Sequence, residues 1–181
     1  EPEHISAYSL SYEEGTPLHA DLEAGRIRPV GEDLDAAMYE TAIDTLEAAG
    51  YGQVEISNFA RPGFACRHNV RCWENRPYIG LGPSAASWEA GRRSENVADV
   101  RAYLERIEQN RTAVVESHEP TPEEIACETA VLNLRMRDGI DRRAFRKRIG
   151  RDPADLFGGA IERNVRLGLL ETTAERIRLS R

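Results

Sequence analysis

A mixed α/β domain followed by a small helix-rich α+β module is what this sequence predicts, and three observations carry the prediction. A strand-like run at 4–10, an amphipathic helix over 33–49 and a second strand-like run at 51–56 follow one another in that order. The character of the chain changes across a linker at 111–120. Beyond it come three short helices and two short strands, the ingredients of a winged-helix module.

The bulk numbers bound the answer. At 181 residues, the chain has room for one good core or for a larger piece with a small module appended. Twenty-four basic residues against 31 acidic ones give a net charge of −7, which favours solubility and argues against nucleic acid as a partner of the whole surface. No apolar run approaches the roughly 20 residues that a membrane helix needs, and nothing reads as a secretory leader. The expectation is a cytoplasmic protein. Three cysteines, at 66, 72 and 127, make an odd set that suits free thiols or ligands better than a disulfide framework.

Taken in order, His4 to Leu10 is rich in strand formers and reads as a mostly buried strand. It has no preceding element to pair with, so the chain reads as one entered partway through a βα series. Gly15 and Pro17 break the strand, and a short helical turn is expected over 18–24, ended by Gly25. Over 33–49, Leu34, Met38, Ala42 and Leu46 recur every four residues, with Ile43 broadening the stripe. Asp33 is placed to cap this helix and Gly50 to close it. Strand, helix and strand make a βαβ unit, which predicts parallel strands and a right-handed crossover.

Residues 57–77 show neither period, and a structureless stretch of that length is usually functional or disordered. A further short strand is expected at 78–82 and an amphipathic helix over 97–110. In the C-terminal module Thr121, Pro122 and Glu124 form a capping box with proline at the first helical position. Asp141 caps a second helix reaching Ile149. Pro153 opens a third, which Gly168 stops, and residues 169–171 and 176–179 read as the two strands.

The stretch from Tyr51 to Trp88 concentrates the chemistry. Cys66, His68 and Cys72 supply three soft donors in a C-x-H-x₃-C pattern, and imidazole or thiolate is what haem iron accepts as an axial ligand. The same trio could supply three ligands to zinc, although no fourth is evident nearby. In the plainest reading His68 and Asn69 bond loop backbone while the cysteines pack as small hydrophobes. From the residues alone these alternatives stay open. A Cys-His-Asn nucleophile is a weaker reading, because nothing places the groups in mutual reach. Trp73 and Tyr78 offer flat faces for stacking. Gly80 and Gly82 either let backbone approach a cofactor or serve a tight turn. Glu55, at the end of its strand, points to the same region or pairs with Arg61 or Arg67.

Several of these runs resemble the HemN/HemW family of radical-SAM proteins. The likeness is carried by His4-Ile5-Ser6-Ala7-Tyr8-Ser9-Leu10, by Glu55-Ile56-Ser57-Asn58-Phe59-Ala60-Arg61-Pro62-Gly63, and by Cys66-Arg67-His68-Asn69 with Trp73, Tyr78, Gly80 and Gly82-Pro83. In the C-terminal module Leu134-Arg135, Gly139-Ile140, Phe145 and Gly168-Leu169-Leu170 extend it, so that it covers almost the whole chain. It lies closer to the haem-chaperone branch than to oxygen-independent coproporphyrinogen III oxidase.

The resemblance implies the C-terminal part of a partial (β/α) barrel over 1–117, with a cofactor-facing loop at 57–88, and a winged-helix-like domain over 118–181. It also implies haem or porphyrin handling, with His68 and Cys72 as iron ligands and Cys66, Asn69, Trp73, Tyr78, Gly80, Gly82 and Glu55 around the cofactor. A tetrapyrrole and a haem-accepting protein are the implied partners, and the unpaired strand edge of a half barrel predicts self-association. S-adenosylmethionine and a [4Fe–4S] cluster are implied only through a region upstream, because the CxxxCxxC motif of radical-SAM proteins is absent here. The family pattern also has tyrosine at position 54, tyrosine at 72 within HNxxYW, and histidine at 86, where this chain has Val54, Cys72 and Ala86.

Porphyrin oxidation and a non-enzymatic winged-helix module remain as rival functions. The second gains some support from eight basic residues between Arg135 and Arg151, set against Asp138 and Asp141.

Overall fold

The computed structural model describes residues 1–180, and the chain folds as two units, one over residues 1–66 and the other from residue 67 onward. The architecture is mixed α/β, with three small antiparallel sheets and seven helices among the described residues.

The first unit is built on β1 (His4–Ser6), α1 (Pro17–Glu23), α2 (Glu32–Ala48), β2 (Gly52–Glu55) and β3 (Asn58–Ala60). Thr16 caps α1 by accepting from the His19 amide, with Pro17 at the first position. The N-cap of α2 is Gly31, not Asp33. Asp33 instead lies in the first turn with Glu32 and Asp35, where carboxylates complement the helix dipole. Gly50, at φ 85°, closes the helix as expected.

The parallel βαβ pairing is corrected by β3. The run Asn58-Phe59-Ala60, expected to be structureless, is a fully buried strand that turns back on β2 and lies between β1 and β2. Both flanking strands pair with it antiparallel. The two strands therefore run in the same direction, as the crossover predicts, yet do not touch. Phe59, completely buried, packs with Ile43 and Tyr51, and Ile5, Ala7, Tyr39 and Leu46 close around them. The Tyr39 and Tyr51 hydroxyls donate to the carbonyls of Ile56 and Pro2 at 2.8 and 2.7 Å, satisfying polar tips at the edge of an apolar core.

The second unit starts with α3 (Arg67–Trp73), again inside the stretch expected to lack structure. A meander follows: β4 (Ala86–Glu89), β5 (Arg92–Asn96), α4 (Val100–Glu108) and β6 (Val114–His118), with sheet order β4-β5-β6. Ala90 and Gly91 both have positive φ, 49° and 78°, as a two-residue hairpin turn with native twist requires. The strand expected at 78–82 reduces to a bridge between Tyr78 and Trp88, and the linker at 111–120 contains β6. Hydrophobic alternation misses these strands because β5 and β6 are largely polar.

From residue 121 the three helices and the two last strands follow the pattern read from the sequence, and a short strand at residues 140–141 is added to it. The elements are α5 (Pro122–Arg135), β7 (Ile140–Asp141), α6 (Arg142–Ile149), α7 (Pro153–Arg166), β8 (Leu170–Thr172) and β9 (Arg176–Leu179). The capping box of Thr121 and Glu124 is fully formed, Asp141 accepts from the Ala144 amide, and Gly150 ends α6 in the left-handed conformation. The sheet runs β7-β9-β8. Ala126, Ala130, Ile140, Phe145, Leu170 and Ile177 form its core. Gly139, at φ 66°, lets β7 pass the Ile177 carbonyl so closely that a β-carbon would not fit.

Candidate functional site

α3 turns the donor motif into a geometry. His68 and Cys72 are one helical turn apart and share a face, which puts His68 Nε2 3.8 Å from Cys72 Sγ. Tyr78 presents its ring edge-on to the imidazole, with centroids 6.5 Å apart. His68 is exposed and Cys72 half-buried, so an imidazole nitrogen and a sulfur are offered side by side at the surface of the second unit. Asn69 is half-buried on the same helix. Arg67 is exposed one residue before His68, and Arg71 Nε donates to the Pro77 carbonyl at 2.8 Å.

The end of α3 is held by residues the sequence did not single out. Asn75, buried and at φ 53°, terminates the helix in a left-handed conformation that asparagine tolerates. Its Nδ2 donates to Thr129 Oγ1 at 3.0 Å, and its Oδ1 accepts from Arg93 at 2.6 Å. Arg93 also donates to Glu128 at 2.6 Å and lies 4.4 Å above the Trp88 ring. The Asn75 carbonyl accepts from Trp88 Nε1 at 3.1 Å and from Arg148, which also donates to the Glu74 carbonyl at 2.6 Å. Burial, and then the like charges of Arg76 and Arg93, push the Arg148 pKa below the ordinary arginine value. Arg148 therefore caps the end of α3 while Arg93 holds the Asn75 side chain, and no local sequence signal announces that.

Trp73 is held equally firmly. Arg135 covers one ring face at 4.5 Å, and Asn133 donates to the Trp73 carbonyl at 2.8 Å. Its Nε1 is buried with no hydrogen-bond partner among the described residues. Gly80 and Gly82 serve the chain's own turns. The Ala86 carbonyl passes where a β-carbon on Gly80 would lie, while the Gly82 amide donates to the Tyr103 hydroxyl at 3.2 Å. Cys66 and Glu55 belong to the first unit.

Glu55 lies in a polar row that strand alternation alone would not produce. A bulge after Gln53 sets two β2 residues against one β3 step, which turns Glu55 onto the same sheet face as Asn58 and Ser6. Asn58 Nδ2 donates to the buried Glu55 carboxylate, and Asn58 Oδ1 accepts from Ser6 Oγ at 2.6 Å and from His4 Nε2 at 2.9 Å. Because the carboxylate fixes which way the amide points, His4 must carry its proton on Nε2. Phe59 and Ile5 alternate to the opposite, apolar face.

Half of the basic segment of the C-terminal module is committed internally. Arg142 and Arg146 converge on the buried Asp152, at 2.9 and 2.5 Å, and Asp152 also caps α7 by accepting from the Ala154 amide. The Arg142 hydrogen bonds, seconded by Arg146 and that amide, hold the Asp152 carboxyl well below the usual carboxylate range. Arg148 is taken up by the end of α3. Among the described residues no three His, Cys, Asp or Glu side chains converge as a metal-binding group, so the zinc alternative finds no site. No helix among them is long and apolar enough to cross a membrane.

Comparison with known proteins finds relatives along almost the whole chain. Residues 121–181 match the family described as the HemN C-terminal domain. The chain is 33% identical over 178 residues to the haem chaperone HemW of Bacillus subtilis (strain 168), covering 98% of this chain and 47% of that protein. Against HemW of Lactococcus lactis subsp. lactis the identity is 31%, over 98% of this chain and 46% of the relative. In fold it is similar to the coproporphyrinogen III oxidase HemN of Escherichia coli, a radical-SAM enzyme, with a TM-score of 0.71 at 16% identity over 99% of this chain and 45% of that one. Residues 121–181 are thus a HemN C-terminal domain, and the chain as a whole resembles the HemN/HemW proteins. It spans about half the length of the relatives it matches.

Proposed function

We propose that this chain is the haem-handling portion of a HemW-like protein, and that His68, with Cys72 beside it, offers the donor that meets iron. The observation that carries this reading is the pairing of an exposed imidazole with a thiol on one face of α3, with Tyr78 against the imidazole. The donor types suit haem iron. The radical chemistry would lie with groups outside these residues.

In this reading Nε2 of His68 faces the ligand and Tyr78 restrains the ring. Arg67 supplies a cation beside the donors for a porphyrin carboxylate. Trp73 acts from behind, since Arg135 already occupies one of its faces. Asn69, Gly80 and Gly82 stay in the proposal as surrounding groups of the second unit, while Cys66 and Glu55 of the first unit stay in it only as candidates that the family resemblance implies. Haem supplies the iron centre when bound. S-adenosylmethionine and a [4Fe–4S] cluster enter only with a CxxxCxxC segment, which these residues do not contain.

The finer architecture belongs to the same proposal: the last strands of a partial (β/α) barrel over 1–117, then a winged-helix-like domain over 118–181. So do a cytoplasmic location, a haem-accepting protein partner and self-association through the open strand edge.

Coproporphyrinogen III oxidation is the second reading, supported by the fold likeness to HemN. A nucleic-acid module is disfavoured, because Arg142, Arg146 and Arg148 are engaged within the unit. Haemin titration tests the main reading. A Soret band should develop with the chain and weaken at least tenfold in affinity in His68→Ala, on the scale of losing a metal-site contact. Undiminished binding by that variant would reject His68. Decarboxylation of coproporphyrinogen by the full-length reconstituted protein would favour the oxidase.

A further inference from the structure

We infer that the first unit carries a site of its own, a cavity that takes a small organic cation with an apolar body. It stands independently of the haem reading, because every residue that lines it lies within residues 1–66.

The course of the chain builds the cavity. The run at 4–10 reads as one strand, yet β1 ends at Ser6, and just beyond it the Ala7 amide donates to the Ser57 carbonyl at 2.8 Å. Residues 7–12 then leave the sheet and contribute Tyr8 and Tyr12 to the lining. Pro29 and Val30, just ahead of the Gly31 cap, contribute a second wall. Phe59, completely buried, lies at the base beside Tyr39 of α2. The Tyr39 ring is fixed there, since its hydroxyl donates to the Ile56 carbonyl at 2.8 Å and accepts from Gln53 at 2.9 Å. The volume is about 490 Å³, well inside the roughly 300–1,000 Å³ of small-molecule sites.

The lining sets the charge of the ligand. Its four aromatic residues are Tyr8, Tyr12, Tyr39 and Phe59, and the faces of aromatic rings attract cations. Its charged residues are Glu32 and Asp35, both acidic, with Asp35 half-buried. Neither carboxylate is in an ion pair among the described residues. The helix end does not cancel them. A helix N-terminus amounts to roughly half a positive charge, whereas the first turn of α2 carries three carboxylates, on Glu32, Asp33 and Asp35. A bare metal ion fits poorly, because no three His, Cys, Asp or Glu side chains converge among the described residues. An ammonium-type group against Asp35, with its apolar body among the tyrosines, uses both halves of the lining.

The test uses the 181-residue chain with carbon-13 in its methionine methyl groups. Of its two methionines, Met38 lines the cavity and Met136 ends α5 in the second unit, so one signal reports the site and the other serves as a control. The probes, of similar size, are benzyltrimethylammonium, the neutral N-benzylacetamide and the anionic 3-phenylpropanoate. The cation should shift the Met38 methyl saturably, with millimolar affinity, and leave Met136 in place. The neutral probe should bind at least about fivefold more weakly, and the anion more weakly still. Asp35→Asn should weaken the cation about fivefold and leave the neutral probe unchanged, while Glu32→Gln, at an exposed position, should weaken it about twofold. An unmoved Met136 signal reports that each variant is folded. His68→Ala should alter none of these affinities. Equal binding of the cation and the neutral probe, or undiminished cation binding by the Asp35→Asn, Glu32→Gln double variant, would overturn the proposal. So would the lack of a saturable Met38 shift with any probe, and neither result would touch the haem reading, which the Soret titration decides.

Discussion

The first unit and the C-terminal module bury comparable aromatic anchors but finish their surfaces differently. Phe59 and Phe145 are both fully enclosed. Around Phe145 three helices and a three-stranded sheet close on every side, and each helix has a side-chain N-cap. Around Phe59 a single helix covers one sheet face, and Leu34 and Met38 of α2 remain 55% exposed. The module meets the conditions of an independent core, whereas the first unit presents an apolar strip that a stand-alone fold would cover. Helix caps and the 3.6-residue period therefore describe the module well, and describe the first unit only partly.

The largest expected effect lies in the module. Phe145→Ala removes a ring that Phe157 meets edge-on at 6.5 Å, and should cost about 4 kcal/mol. Phe59→Ala should cost less, about 3 kcal/mol, because the open side of the first unit can relax into the space. Urea unfolding followed by separate probes of the two units would read both. An equal or larger loss for Phe59 would break the comparison.

Asp152→Ala comes next, at about 3 kcal/mol, because it strips a helix cap and leaves Arg142 and Arg146 without their shared carboxylate. The pH dependence has a definite sign. The folded-state pKa of Asp152 is depressed, so its contribution is complete above the unfolded value of about 3.9 and fades as pH falls below it. The stability gap between the parent chain and Asp152→Asn should be flat from about pH 5 upward and close on acidification. A gap that widened below about pH 4 would refute the assignment.

A loss of about 2 kcal/mol is expected for Asn75→Ala, which gives up hydrogen bonds from Arg93 and to Thr129 and places alanine at positive φ. Asn75→Gly separates the two causes. It relieves the backbone and still loses the bonds, so it should recover roughly a third of that loss. Full recovery would mean that the buried amide contributes nothing.

What was legible in the sequence divides along the same line. Thr121, Asp141, Pro153 and Gly150 act locally, through bonds to amides two or three residues away or through their own φ, and each is readable in place. The bulge that turns Glu55 onto the Asn58 face, and the passage of β3 between β1 and β2, are decided by pairing across the sheet and leave no periodic trace. Of the candidate site, the donor motif was visible as a string. Its geometry depended on α3 forming over residues 67–73. The holdfast of Asn75, Arg93, Glu128 and Arg148 draws on positions far apart in the chain, where no motif can register.

The smallest stability effect should accompany the most telling change in behaviour. Leu34 and Met38 lie one turn apart on α2, beside Ile5 and Ala7, in an open groove of about 540 Å³. Replacing both with glutamine removes apolar surface that is already half in water, and glutamine is a good helix former. The unit's stability should shift by no more than about 0.5 kcal/mol. Self-association is another matter, because a shallow apolar groove beside the free edge of β1 is the feature through which two copies would meet. Sedimentation velocity should show the parent chain associating as concentration rises and the double variant remaining monomeric. If both behave alike, the exposed strip is merely tolerated and the contrast between the two cores carries no consequence for assembly.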